Sequence, residues 1–138
     1  MPEQTSESSV GVLHKALAIQ REASLKRFDW ADASGVLKKL REELDEIEEA
    51  IRSGTRSSYN EEVGDLVFSA VNLARMLAVD PEAALRDAID KFERRFRDVM
   101  ATIRRSGRDV DDISVEELDV LWEATKGTAP SETKRRSS

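Results

Sequence analysis

Apolar residues recur along the middle of the chain at steps of three and four, the spacing of one helix face, and almost nowhere at the step of two that marks a strand. Val36, Leu37, Leu40, Leu44, Ile47 and Ile51 form one such row. It predicts a helix that opens near Ser34, a reasonable N-cap, and stops at Ser53-Gly54. Ahead of it, Leu13, Leu17 and Leu25 trace a weaker stripe over a helix from about Val10 to Leu25, which ends before Arg27-Phe28-Asp29-Trp30. Beyond it, Val63, Leu66, Val67, Ala70, Val71, Ala74 and Leu77 form an apolar face broad enough to predict a central helix. That helix is expected to open at Ser58, where Ser-x-x-Glu with Glu61 fits a capping box. Asp80-Pro81 combines a cap with proline at the first helical position. The long helix it opens carries Leu85, Ile89, Phe92, Phe96, Val99 and Ile103 at alternating steps of four and three, the seam of an antiparallel or coiled-coil-like bundle. A last short helix follows Ser114, which makes a second capping box with Glu117, and bears Leu118, Leu121 and Trp122. The expected fold class is all-α, a bundle of four to five helices.

Composition narrows what such a bundle can do. The 138 residues include only 6 Gly and 3 Pro, and one core is what a chain of this length can bury. Residues 1–9 (MPEQTSESS) and 127–138 are rich in Ser, Thr, Pro and charge with almost nothing to bury. They are expected to be disordered tails around a single helical domain, residues 10–126. The 28 acids outnumber the 22 bases, for a formal charge of −6. That balance argues against a protein held to a nucleic-acid backbone or an anionic membrane by bulk charge. With no cysteine, disulfides, iron–sulfur clusters and thiolate zinc sites are excluded. The lone histidine, His14, makes a histidine-rich metal site or a histidine-relay hydrolase hard to build. No apolar run approaches the roughly 20 residues of a membrane span, and the N-terminus lacks a hydrophobic signal core. A soluble cytoplasmic protein is expected, with chemistry that rests on carboxylates.

Two acidic patterns stand out. Six acids lie between Glu42 and Glu49, and taken alone they read as a solvated face supported by neighbouring lysines and arginines. The central helix is harder to read that way. Its Glu62, Asp65, Ser69 and Asn72 stand at steps of three, four and three within an apolar segment, forming one polar stripe. Charges buried there cost roughly several kcal/mol each unless paired or coordinating a cation. Glu43 and Glu46 have the same i, i+3 spacing on the preceding helix, so two facing helices would offer four carboxylates. Oxygen ligands without histidine favour a hard cation, Mg²⁺ or Mn²⁺, over zinc or copper. The Glu-x-x-His pattern of di-iron bundles is missing, which disfavours iron. Magnesium typically shares its coordination with substrate phosphates, and this points to a polyphosphate ligand. Lys91, Arg94 and Arg95 span one turn of the long helix and suit such a ligand, or equally ordinary pairing with Asp87, Asp90 or Asp98.

These residues resemble a known family. From about Ala16 to Met100, and again around Leu121-Trp122-Glu123, the chain is similar to the catalytic C-terminal half of the MazG nucleoside triphosphate pyrophosphohydrolases. The family's marker is Glu-x-x-Glu, a spacer, then Glu-x-x-Asp. Here it reads Glu43-Leu44-Asp45-Glu46 and Glu62-Val63-Gly64-Asp65, separated by the 15 residues 47–61. Phe28-Asp29-Trp30, Val71-Asn72-Leu73-Ala74-Arg75 and Lys91-Phe92-Glu93-Arg94-Arg95-Phe96 are also family-like, in the same order. The resemblance implies Mg²⁺-dependent hydrolysis of a (deoxy)nucleoside triphosphate between its α- and β-phosphates, giving a monophosphate and pyrophosphate. Carried over by position, Glu43, Glu46, Glu62 and Asp65 bind metal, Lys91 and Arg95 with Lys39 hold phosphates, and Trp122 and Lys126 contact substrate. Glu42 suits either a water-orienting base or a solvent-facing position. Trp122 and Trp30 suit either stacking on a base or covering the core.

Ile89 stands where relatives often have Asn, removing one polar group near the phosphate-binding turn. Relatives also pair their bundles, and the broad apolar faces of so few helices predict a homo-oligomer, dimer or tetramer. A dCTP- or dUTP-preferring enzyme and a phosphoribosyl-ATP pyrophosphohydrolase are near neighbours of the same reading. A non-catalytic helical module that binds a partner or a nucleotide is the contrasting one, suggested by the charge-rich surface and Lys134-Arg135-Arg136.

Overall fold

A computed structural model describes residues 11–127; Val10, the expected tail 1–9 and all but Gly127 of the expected tail 127–138, including Lys134-Arg135-Arg136, lie outside the described residues. These form five α-helices and two short 3-10 turns, with no strand among the described residues. The helices are α1 (Val12–Leu25), α2 (Ala33–Ser53), α3 (Tyr59–Met76), α4 (Pro81–Arg105) and α5 (Val115–Thr125). All five predicted helices are present, and the fold is all-α.

Four helix starts show how local chemistry set the boundaries. Asp32, not Ser34, caps α2. Its backbone is extended and its carboxylate accepts the Ser34 N–H at 2.9 Å. The Ser34 hydroxyl bonds the same carboxylate, so the serine supports the cap from inside the first turn. These bonds hold the Asp32 carboxyl below its usual range. At α3 the predicted Ser58 capping box does not form. Ser58 ends a 3-10 turn, Arg56–Ser58, in helical rather than extended conformation, and its hydroxyl donates to the Thr55 carbonyl at 2.8 Å. At α5 half of the expected box is present. Ser114 Oγ accepts the Glu117 N–H at 3.1 Å, while the Glu117 carboxylate turns to Arg108 in a two-pronged ion pair at 2.6 and 3.1 Å. Asp80 caps α4 as predicted, accepting from Glu82 N at 3.0 Å.

The chain divides into two compact units between Leu85 and Arg86. In the first, α3 packs against both α2 and α1, which makes it the central helix of that unit. Leu17, Val36, Ala50 and Val71 are its buried apolar residues. Gly54 ends α2 in the left-handed conformation (φ 72°), which costs glycine nothing and most other residues strain. His14 ties α1 to the start of α4, with Nε2 3.1 Å from Asp80 Oδ1 and Nδ1 2.9 Å from Glu82 Oε2. In the second unit Val99, Ile103 and Ile113 are buried, with Met100, Leu118, Leu121 and Trp122 packed around them. The α4 seam is thus half realised: Val99 and Ile103 are inside, whereas Leu85, Ile89, Phe92 and Phe96 are about half exposed.

Candidate functional site

Packing of α2 on α3 brings their acidic positions together. Carboxylate oxygens of Glu43, Glu62 and Asp65 lie within 4.8 Å of one another. Glu43 is 2% exposed, with Val36 the largest of the fully buried side chains. Lys39, one turn earlier on α2, places Nζ 2.9 Å from Glu43 Oε1, and this contact raises the lysine pKa. Glu43 Oε2 and Glu62 Oε2 are buried without a hydrogen-bond partner. Glu46 meets Glu62 through a carboxyl–carboxyl hydrogen bond. That bond, with desolvation and the charges of Glu46, Glu43 and Asp65, pushes the Glu62 pKa above its ordinary value.

Four acids around one ammonium are under-compensated. Taking carboxylates out of water costs roughly several kcal/mol per ion, and Lys39 bonds only one of them directly. Two buried acceptors without donors and a donor set made only of oxygen fit a hard divalent cation. The polar stripe on α3 is present as read from the sequence, but its burial is graded: Ser69 is buried, Glu62 and Asn72 are half-buried and Asp65 is exposed.

The remaining site residues fall into separate settings. Glu42 is exposed on α2. Lys91 and Arg94 are exposed and Arg95 is half-buried, all on the part of α4 that belongs to the second unit. There Trp122 packs obliquely on Phe92, with ring centroids 5.1 Å apart, and Lys126 pairs with Glu123 at 2.8 Å.

A cavity of about 530 Å³ lies between α1, the loop before α2, and α3. Asp29 in that loop grips Arg75 of α3 in a fork, at 2.5 Å from Nη2 to Oδ1 and 3.1 Å from Nη1 to Oδ2. The guanidinium holds the Asp29 carboxyl below its usual range. Arg75 Nε also donates to Asn72 Oδ1 at 2.8 Å. Trp30 lies so close to Gly35 that a Cβ there would sit 2.9 Å from the indole. Gln20 reaches from α1 to donate to the Phe68 carbonyl at 2.9 Å, while its Oε1 is buried and unpartnered. Of these residues, sequence reading singled out Trp30 and Asn72 and passed over Gln20. Its signal was there: Gln20 follows Leu13 and Leu17 at helical spacing, a polar residue on the apolar stripe of α1.

The family model of the MazG nucleotide pyrophosphohydrolase domain matches residues 32–100, half of the chain. The chain belongs to the MazG family. The matched range contains all four acids of the cluster, with Lys39, Asn72, Lys91, Arg94 and Arg95, and leaves out Gln20, Trp30, Trp122 and Lys126. Over 118 residues the chain is 45% identical to the nucleoside triphosphate pyrophosphohydrolase/pyrophosphatase MazG of Thermotoga maritima, covering 86% of this chain and 45% of that protein. Over 120 residues it is 36% identical to the nucleoside triphosphate pyrophosphohydrolase of Escherichia coli K12, with 86% and 46% covered. The chain is also 42% identical over 76 residues to the uncharacterized protein YabN of Bacillus subtilis, with 55% of this chain and 14% of that protein covered. The chain spans about half the length of the first two relatives.

Proposed function

We propose that the chain hydrolyses (deoxy)nucleoside triphosphates to a nucleoside monophosphate and pyrophosphate with Mg²⁺, for which Mn²⁺ substitutes. The observation that carries this reading is the meeting of Glu43, Glu62 and Asp65 with two buried oxygens that no donor satisfies. The names of the relatives from Thermotoga maritima and Escherichia coli support the same chemistry. Glu43, Glu46, Glu62 and Asp65 would hold the cation, and the Lys39 ammonium 2.9 Å from Glu43 Oε1 fixes that carboxylate in place. When bound, the cation supplies positive charge that offsets the charge developing on phosphoryl oxygens and makes water easier to deprotonate. Glu42 is the adjacent carboxylate able to take the proton of the attacking water. Lys91, Arg94 and Arg95 would neutralise substrate phosphates, with Trp122 and Lys126 as further substrate contacts.

Release of pyrophosphate from a panel of NTPs and dNTPs tests the reading. Turnover of at least one member is expected with Mg²⁺ and none with a chelator. The panel also separates a broad enzyme from a dCTP- or dUTP-preferring one and, with phosphoribosyl-ATP added, from that neighbour. A folded chain inert toward every member would overturn the assignment in favour of a non-catalytic nucleotide-binding module. No helix among the described residues is long and apolar enough to cross a membrane. We place the activity in the cytoplasm, where the substrates are. Self-association is part of the proposal too: Leu37, Leu44 and Ile51 stand seven residues apart on α2, 39%, 51% and 61% exposed, an apolar row suited to a second helix pair.

A further inference from the structure

We infer that His14 is a pH-operated latch, which fastens the start of α1 to the start of α4 while its imidazole is protonated and releases it when the ring is neutral. This device goes beyond the chemistry at the acid cluster, and every residue of it lies in the first unit.

Both ring nitrogens face a carboxylate: Nε2 lies 3.1 Å from Asp80 Oδ1 and Nδ1 2.9 Å from Glu82 Oε2. A neutral imidazole has one N–H, so it donates to one of these acids and sets a lone pair against the other. Only the imidazolium donates to both. The ring is 40% exposed, so protons from water reach it without rearrangement, and histidine changes charge between about pH 5 and 8. The Asp80 oxygen that meets His14 also accepts the Glu82 and Ala83 N–H groups, at 3.0 and 3.4 Å, so the latch is built into the cap of α4. The bond from His14 is the first cause that holds the Asp80 carboxyl below its usual range, which keeps this partner charged in mild acid.

Little else holds the first turns of α1. Leu17 and Gln20 are the buried residues of this helix, no side chain caps it at Gly11, and its first turn carries no acid. A helix of 14 residues is marginal in water on its own. Glu82 supplies the missing anion from α4: its carboxylate lies so close that a Cβ on Gly11 would sit 2.7 Å from Oε2. An imidazolium near two helix starts runs against both helix dipoles, and a pair of carboxylates around the ring offsets that cost. The other charged groups on the adjoining turns are Lys15 and Arg21 of α1, Arg86 of α4 and Arg75 of α3. Lysine and arginine stay charged throughout the range in which histidine titrates, so His14 is the group that switches. Because α1 also walls the cavity with Ile19, Gln20 and Ala23, the latch sets how firmly that wall is held.

Amide hydrogen exchange on the whole untagged chain, corrected for the intrinsic rate at each pH, reads the latch with α2 as internal reference. Protection of α1 relative to α2 is expected to fall about threefold or more between about pH 5.5 and 8.5, a modest change because both pairs are partly exposed. As the single histidine of the chain, His14 gives one ring signal in proton NMR, and the loss of protection should follow the midpoint of that signal. His14→Gln keeps a donor and removes the charge, so its α1 should be held equally at both ends of the range, as loosely as in alkaline wild type. Glu82→Gln removes one of the two acids, and Gly11→Ala displaces the Glu82 carboxylate without touching a titrating group; each should shrink the response of α1 to pH. An equal fall in wild type and His14→Gln, a midpoint that departs from the ring signal, or protection that ignores pH overturns the inference. So does a full response in both Glu82→Gln and Gly11→Ala.

Discussion

The Glu43–Glu46–Glu62–Asp65 cluster sets the chain's stability against its chemistry. Like charges crowd Glu62 until its carboxyl resists ionisation, so removing one of them relieves the metal-free fold. Glu62→Gln and Asp65→Asn should each raise the metal-free melting temperature by a few degrees. The same variants should lose about 100-fold or more in pyrophosphate release, with helicity unchanged by circular dichroism. Mg²⁺ should stabilise the wild type by mass action and leave the variants nearly unmoved. A wild type indifferent to Mg²⁺ in melting experiments would count against the cation site. Lys39→Met tests the opposite partner. It strips Glu43 of its ammonium, and the metal-free protein is expected to lose about 1–3 kcal/mol in denaturant unfolding.

Helices and their ends carry different predictions. Asp32→Ala removes the true cap of α2 and should cost about 1 kcal/mol, whereas Ser34→Ala, at the position that sequence alone favours, should cost less. Both serines at the predicted caps of α2 and α3 were misplaced for one reason. Sequence shows which residues can cap, but whether a preceding Asp takes the role, or a 3-10 turn such as Arg56–Ser58 intervenes, depends on backbone conformation. The helices themselves were legible because their apolar periodicity is strong, and the acids of α2 and α3 because two i, i+3 pairs fall on facing helices. Gln20 was missed because the stripe of Leu13 and Leu17 that it continues is weak, and its bond to the Phe68 carbonyl shows only in the fold. The loop before α2 is fastened by Asp29 to Arg75, and the lowered Asp29 pKa fixes the sign of its pH dependence. Asp29 is ionised in the fold below the range where it protonates in the unfolded chain, so this stabilisation is complete above about pH 4 and fades as pH falls through the folded value. Arg75→Met should lower stability at neutral pH and flatten this acid limb; parallel acid-unfolding curves for variant and wild type would show that the fork contributes nothing.

For the whole molecule, the exposed row on α2 is the feature that one chain leaves unresolved. Leu37, Leu44 and Ile51 present apolar area along three successive heptads, and pairing with another copy would remove it from water. Light scattering should report a dimer or tetramer for the wild type and a monomer for Leu44→Glu/Ile51→Glu. Monomeric wild type at micromolar concentration would contradict the proposed association. Legibility also changes with scale. Fold class and acid cluster are local patterns and are visible in the chain, while the cavity beside Gln20 joins residues almost 50 positions apart, such as Asp29 and Arg75, and needs the packed helices to be seen. That α3 carries Glu62 and Asp65 at one end and borders the cavity with Phe68 and Asn72 farther along has an evolutionary consequence. Helical rise is the same for every sequence, so point changes cannot alter the distance between the two. Divergence is therefore channelled into the cavity walls, and Gly35, where a Cβ would sit 2.9 Å from the Trp30 indole that lines the cavity, is a position at which a methyl would displace that ring.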